Sequence, residues 1–100
     1  MKTNLSEDKI RNLRSGPEMD KLVASTIFGE CAPLAYSTQM TSAWRVVERV
    51  REEYGTFTLA WDCMDDGSEW YCHIGQSAYG ETPELAICRA ALLAYYVSGE

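Results

Sequence analysis

The chain of 100 residues is 46% apolar and 24% charged, the balance of one globular domain with a modest core. It contains no apolar run of about 18 residues, so no membrane-spanning helix is expected. Its net charge of −6 opposes direct nucleic-acid binding, because affinity for phosphate backbones comes from counterions released by clustered Lys and Arg. The N-terminus lacks the apolar segment of a secretory signal, which points to a cytoplasmic protein.

Residues 1–16 are polar and read as a loosely held arm ahead of a single domain at 17–100. Ser6, Glu7 and Asp8 can cap at most a short turn carrying Ile10 and Leu13. The first helix is predicted from Pro17 to Phe28, with Met19, Leu22, Val23 and Ile27 at helical spacing and Gly29 as its stop. A connection follows, in which Cys31 to Tyr36 could form a short extended piece. Ser37 or Thr38 then caps a second helix that runs to Tyr54. Its apolar stripe is Met40, Ala43, Trp44, Val47, Val50 and Tyr54, opposite Arg45, Glu48, Arg49 and Glu52.

From Thr56 the apolar period changes to two, the period of a strand. Phe57, Leu59, Trp61 and Cys63 share one face. Trp70, Cys72 and Ile74 do the same in the next strand. Asp66-Gly67 between them suits a two-residue hairpin turn, which would pair Cys63 with Trp70, Trp61 with Cys72 and Leu59 with Ile74. The last segment is a helix with both ends marked: Thr82 as N-cap, Pro83 in the first turn, Glu84 at the positive end of the helix dipole, and Gly99 as terminator. Between these caps Arg89 is the one charged side chain. A helix apolar nearly all round must be covered on several sides.

The predicted order is α-α-β-β-α with an antiparallel hairpin, an α+β fold. Two strands do not make a stable sheet, so either the 31–36 segment supplies a third or a second subunit extends the edge. Together with the apolar last helix, this favours a homodimer or larger assembly. The expected core places Leu59, Trp61, Cys72 and Ile74 under helices bearing Trp44, Val47, Leu85, Cys88 and Leu92.

Chemistry is sparse. Cys31, Cys63, Cys72 and Cys88 form no CxxC pair, and with a single histidine they do not suggest a zinc site, so they read as free thiols of a reducing compartment. The loop from Asp62 to Glu69 resembles a calcium loop but has Met64 and His73 where oxygen ligands are required. No phosphate-binding, dinucleotide, zinc-protease or nucleophile-elbow motif occurs. No catalytic residue, metal or cofactor is therefore assigned. His73 reads as a solvated strand histidine, since the alternation puts Cys63 and Cys72 on the other face. Candidate binding residues are Tyr71 and His73 on that face, Tyr79 in the following loop, Tyr95 and Tyr96 near the end of the last helix, and the acidic knob of Asp65, Asp66 and Glu69 at the hairpin tip.

Three segments taken together resemble a known family. They are Met19-Asp20-Lys21-Leu22-Val23-Ala24, the run from Tyr36-Ser37-Thr38 through Ala43-Trp44-Arg45-Val46-Val47-Glu48, and Thr82-Pro83-Glu84-Leu85-Ala86-Ile87-Cys88-Arg89-Ala90-Ala91-Leu92. In this order they resemble the phage ABA sandwich domain, found in small proteins of bacteriophages and prophages, over residues 17 to 97. The resemblance implies a small α/β/α sandwich. Members commonly carry extra extended sequence before the Tyr-Ser-Thr motif, where this chain has only Gly29 to Ala35, so a smaller sheet is implied. No catalytic residue is carried over.

The resulting expectation is a non-enzymatic phage accessory protein in the host cytoplasm that binds a host protein. An acidic surface suits a basic target, such as the nucleic-acid channel of a defence nuclease or CRISPR effector. Two other readings stand beside it: an oligomer that sequesters a nucleotide signal, and an enzyme using His73.

Overall fold

The computed structural model describes residues 7–29, 33–64 and 67–98. In chain order the elements are α1 (Glu7–Asn12), α2 (Pro17–Val23) with a π-helical turn over Ala24–Phe28, α3 (Met40–Tyr54), β1 (Thr58–Met64), β2 (Gly67–Ile74), β3 (Gln76–Gly80) and α4 (Pro83–Ser98). The strands form a three-stranded antiparallel sheet in the order β1-β2-β3.

The N-terminal cap of α4 forms as its sequence predicts. Thr82 Oγ1 accepts the Leu85 N–H at 3.2 Å, satisfying a donor that no preceding turn can reach. Leu85 to Cys88 and Ala90 to Ala94 are all buried. The sheet covers one side of α4 through β2 and β3, while α1, α2 and α3 pack on its other sides. The chain is thus an α+β sandwich with α4 as its middle layer. Ile10 is fully buried, and Leu13 packs against the core. From Glu7 onward, therefore, the segment expected to be a loose arm is part of the domain.

The third strand comes from Gln76–Gly80. The described residues 33–36, part of the segment expected to supply it, contain no strand; Cys31 and Ala32 of that segment lie outside the described residues. Ile74 pairs with Gln76 across Gly75 alone, whose φ of 80° an L side chain rarely adopts. The inward residues of β3 are Ala78 and Gly80, too small to announce an apolar alternation. Their size is what lets α4 approach: a Cβ on Gly80 would lie 2.6 Å from the backbone nitrogen of Ala86.

The β1-β2 register differs from the expected one by two residues. Leu59 pairs with Cys72, Trp61 with Trp70 and Cys63 with Ser68, and Met64 and Gly67 close the hairpin. Gly67 therefore belongs to β2, and the connection is Asp65-Asp66, outside the described residues. The shift preserves the faces and brings the Trp61 and Trp70 rings edge to face at 5.4 Å, a stabilising cross-strand pair.

Two expected core residues are surface residues. Trp61 is 51% exposed because α4 covers β2 and β3 and leaves β1 beyond its reach. Trp44 is 42% exposed, since the buried stripe of α3 runs through Ala43, Val46, Val47 and Val50, rotated toward Val46. Ser37 is not a helix cap either. It is buried, its Oγ donates to Asp20 Oδ1 at 2.7 Å and accepts the Gly16 N–H at 2.9 Å, and its own N–H reaches the same Asp20 oxygen at 2.9 Å. Beside it Tyr36 stacks on Phe28 at 5.3 Å. These contacts pin the start of α3 to α2.

Leu92→Ala should cost about 2–5 kcal/mol in chemical denaturation, because it empties a fully buried site on the middle helix. Cys72 and Cys88 are buried and Cys63 is exposed. Burial pushes the Cys72 thiol up to about 12, and it also raises that of Cys88. In a Cys31→Ser background, a thiol reagent at neutral pH should modify Cys63 rapidly and the other two only after denaturation.

Candidate functional site

Strand alternation puts Cys72, Ile74 and Ala78 against α4 and turns Glu69, Tyr71, His73, Ser77 and Tyr79 to the opposite face. Pairing of His73 with Ser77 and of Tyr71 with Tyr79 brings four of these side chains together. His73 Nδ1 and Ser77 Oγ are 2.8 Å apart, and Ser77 Oγ lies 3.0 Å from the Tyr71 hydroxyl. The Tyr71 and Tyr79 rings meet at 5.3 Å, and the Tyr79 hydroxyl donates to Asp62 Oδ2 at 3.2 Å. This hydrogen bond, with the negative charge of Asp62, raises the Tyr79 pKa above the ordinary tyrosine value.

The candidate residues Tyr71, His73 and Tyr79 thus share one hydrogen-bonded face, with Glu69 at its margin. Tyr95 and Tyr96 do not join them. Tyr95 packs edge to face on Tyr54 at 6.1 Å, and burial raises its pKa; Tyr96 is exposed at the far end of α4. Asp65 and Asp66 lie outside the described residues. The sequence pattern places this segment in a loop and gives Ser77 no partner; in the folded chain β3 makes Ser77 the cross-strand partner of the only histidine. The Ser77–His73 contact has the reach of a nucleophile and base. Among the described residues no side chain hydrogen-bonds His73 Nε2, and no group of three or more His, Cys, Asp or Glu could hold a metal.

Around the β3 edge is a second set of residues. Arg89 Nη1 donates to Tyr79 O at 2.8 Å and its Nε to Leu13 O at 3.0 Å. Arg11 Nη1 donates to Ser77 O at 3.1 Å, and its Nε forms an exposed ion pair with Glu7 at 3.0 Å. Two guanidiniums therefore occupy alternate outward carbonyls of β3. Burial lowers the Arg89 pKa; Glu69 and Glu81 act in the opposite direction, and Arg14 adds to the lowering. A cavity of about 560 Å³ opens here, lined by Arg11, Arg14 and Arg89 among others. Arg89 is distant in sequence from Arg11 and Arg14, and only the fold brings it to them.

A small α+β sandwich with a polar, aromatic sheet face and no described helix long and apolar enough to cross a membrane is the class these features define. The chain belongs to the phage ABA sandwich domain family, whose model matches residues 19–92. It is similar to a phage protein from Bacillus cereus ATCC 14579, known from a 2.0 Å crystal structure, with 25% identity, a TM-score of 0.62, and coverage of 94% of this chain and 97% of that one. Comparison with curated proteins gives no match. The chain is accordingly a phage protein of a small-domain family.

Replacing Asp62 with Asn should lower the Tyr79 titration toward the ordinary tyrosine value, because both the anionic acceptor and its repulsion of phenolate are lost. Ultraviolet pH titration of the wild type, D62N and a Tyr79→Phe reference isolates this group. As the folded chain favours the protonated phenol, its contribution to stability is fully present below the ordinary tyrosine value and is lost as pH rises from that value through the raised one of the folded chain.

Proposed function

We propose that this phage protein is a non-catalytic accessory factor that binds a host protein through the open edge of its sheet. The asymmetry of the two edges carries the reading. Arg11 and Arg89 occupy outward carbonyls of β3, which blocks strand addition there. On β1, the other edge, the described residues include half-exposed Trp61 but none of the Lys or Pro that commonly protect an edge. Trp61 rests on Trp70, and Trp44 lies exposed against Phe57, ring centroids 5.7 Å apart. Tryptophans beside unpaired backbone groups are suited to strand addition, with main-chain bonds giving affinity and the rings giving specificity.

The net charge of −6, with Asp62 and Glu69 paired across β1 and β2, favours a basic target. That charge supports a counter-defence role against a host nuclease, whose nucleic-acid channel is basic. The two grounds for expecting an oligomer have other answers within the chain, since β3 completes the sheet and α1 to α3 cover α4. The β1 edge is therefore offered to a host protein before a second copy.

Trp61→Lys should abolish capture of a specific host protein in crosslinking from lysate, while its circular dichroism spectrum stays that of the wild type and its unfolding temperature falls only by the several degrees that loss of the Trp61–Trp70 pair implies. Light scattering on the free protein should return 11.3 kDa. A dimer that Trp61→Lys dissociates would assign the edge to a second copy and defeat the host-protein reading. Ser77→Ala separates this reading from hydrolytic chemistry at the 2.8 Å Ser77–His73 contact: capture and biological activity should both survive it.

A further inference from the structure

Three of the nine basic residues of this acidic chain line one cavity at the β3 edge, supplied by α1, the α1-α2 connection and α4. Arg89 is the only charged side chain between Glu84 and Glu100, and it projects from the middle helix into a half-buried position. A cation so placed normally has a carboxylate partner. Its hydrogen bonds run instead to the backbone carbonyls of Leu13 and Tyr79, which leave its charge in place. Arg14 makes no hydrogen bond or ion pair among the described residues.

Arg11 and Arg89 are anchored on carbonyls two residues apart along a strand, a separation of roughly 7 Å. A tetrahedral phosphoryl group can bridge that gap with charge-assisted hydrogen bonds of about 2.8 Å on either side. A carboxylate is flat, has two oxygens and is matched by one guanidinium fork; Arg11 already has an exposed ion pair with Glu7, and a single carboxylate would still leave Arg14 or Arg89 without a direct anionic contact. Glu69 and Glu81 also line the cavity. They would repel a bare anion but can accept hydrogen bonds from hydroxyl or amino groups. About 560 Å³ is room for a molecule carrying both.

We propose that this cavity binds a small phosphorylated molecule bearing hydroxyl or amino donors, its phosphoryl group held among Arg11, Arg14 and Arg89 and its donors turned to Glu69 and Glu81. The site lies on the sheet edge opposite Trp61 and does not depend on the host-protein reading.

Isothermal titration calorimetry of the intact chain with ribose 5-phosphate, AMP, adenosine and inorganic phosphate tests it. Ribose 5-phosphate or AMP should bind saturably with a dissociation constant at or below about 1 mM, and adenosine should not bind. Arg14→Ala should weaken that binding about tenfold at unchanged unfolding temperature, since Arg14 holds nothing else in place. Trp61→Lys should leave it unchanged, which separates failure here from failure of the host-protein reading. Absence of saturable binding to both phosphorylated probes, equal binding of adenosine and AMP, or indifference to Arg14→Ala would overturn the site. Inorganic phosphate binding as tightly as ribose 5-phosphate would overturn the assignment of donors to Glu69 and Glu81.

Discussion

The burial of α4 constrains everything else in this protein. From Leu85 to Ala94 every residue except Arg89 is withdrawn from water, which requires neighbours around the whole circumference of the helix. The sheet supplies one side, and α1, α2 and α3 supply the others. Short α1 could hardly persist alone, yet it folds because Ile10 and Leu13 complete this coat. The sheet is constrained in the same way. Gly80 in β3, and Gly75 in the turn before it with a Cβ position 3.0 Å from the Ala94 Cβ, keep this side of the sheet thin where the helix presses on it.

That arrangement gives the two sheet edges different characters. β3 lies against α4, so Arg89 can reach Tyr79 O from the helix, and α1 brings Arg11 to Ser77 O two residues away. β1 lies beyond the helical cover, and residues patterned for a core, Trp61 above all, are left at the surface. One cause, the placement of α4 over β2 and β3, closes one edge, opens the other and gathers arginines from α1, the α1-α2 connection and α4 around one cavity.

The segments by which the family is recognisable are mostly structural. Asp20 and Ser37 form the contact that holds the start of α3 to α2, Tyr36 stacks on Phe28, and the Thr82-Pro83 cap starts the middle helix. The candidate surfaces lie largely elsewhere, on the outer sheet face, along β1 and at the β3 edge. Fold and candidate function thus draw largely on different residues of the same short chain, with Trp44 and Arg89 belonging to both sets.

Much of the fold was legible from local signals. The Thr82 cap, the stop at Gly29 and the amphipathic face of α3 involve residues within a few positions of one another, so local patterning specifies them. The faces of β1 and β2 were legible because alternation survives a register shift of two; the register itself was not, because the pairing runs on to Met64 and Gly67 and takes Gly67 out of the expected turn. β3 escaped notice because Ala78 and Gly80 are selected by the closeness of a helix that follows them in sequence. Exposure of Trp61 and Trp44 depended on how far α4 extends over the sheet, which no local pattern encodes. The Ser77–His73–Tyr71 chain required β3 to exist, and the arginine cavity required residues 11, 14 and 89 to meet. Neighbours along the chain specify most of its helices and strands; which side chains converge depends on contacts between residues far apart in the chain, and so is settled only when the elements pack.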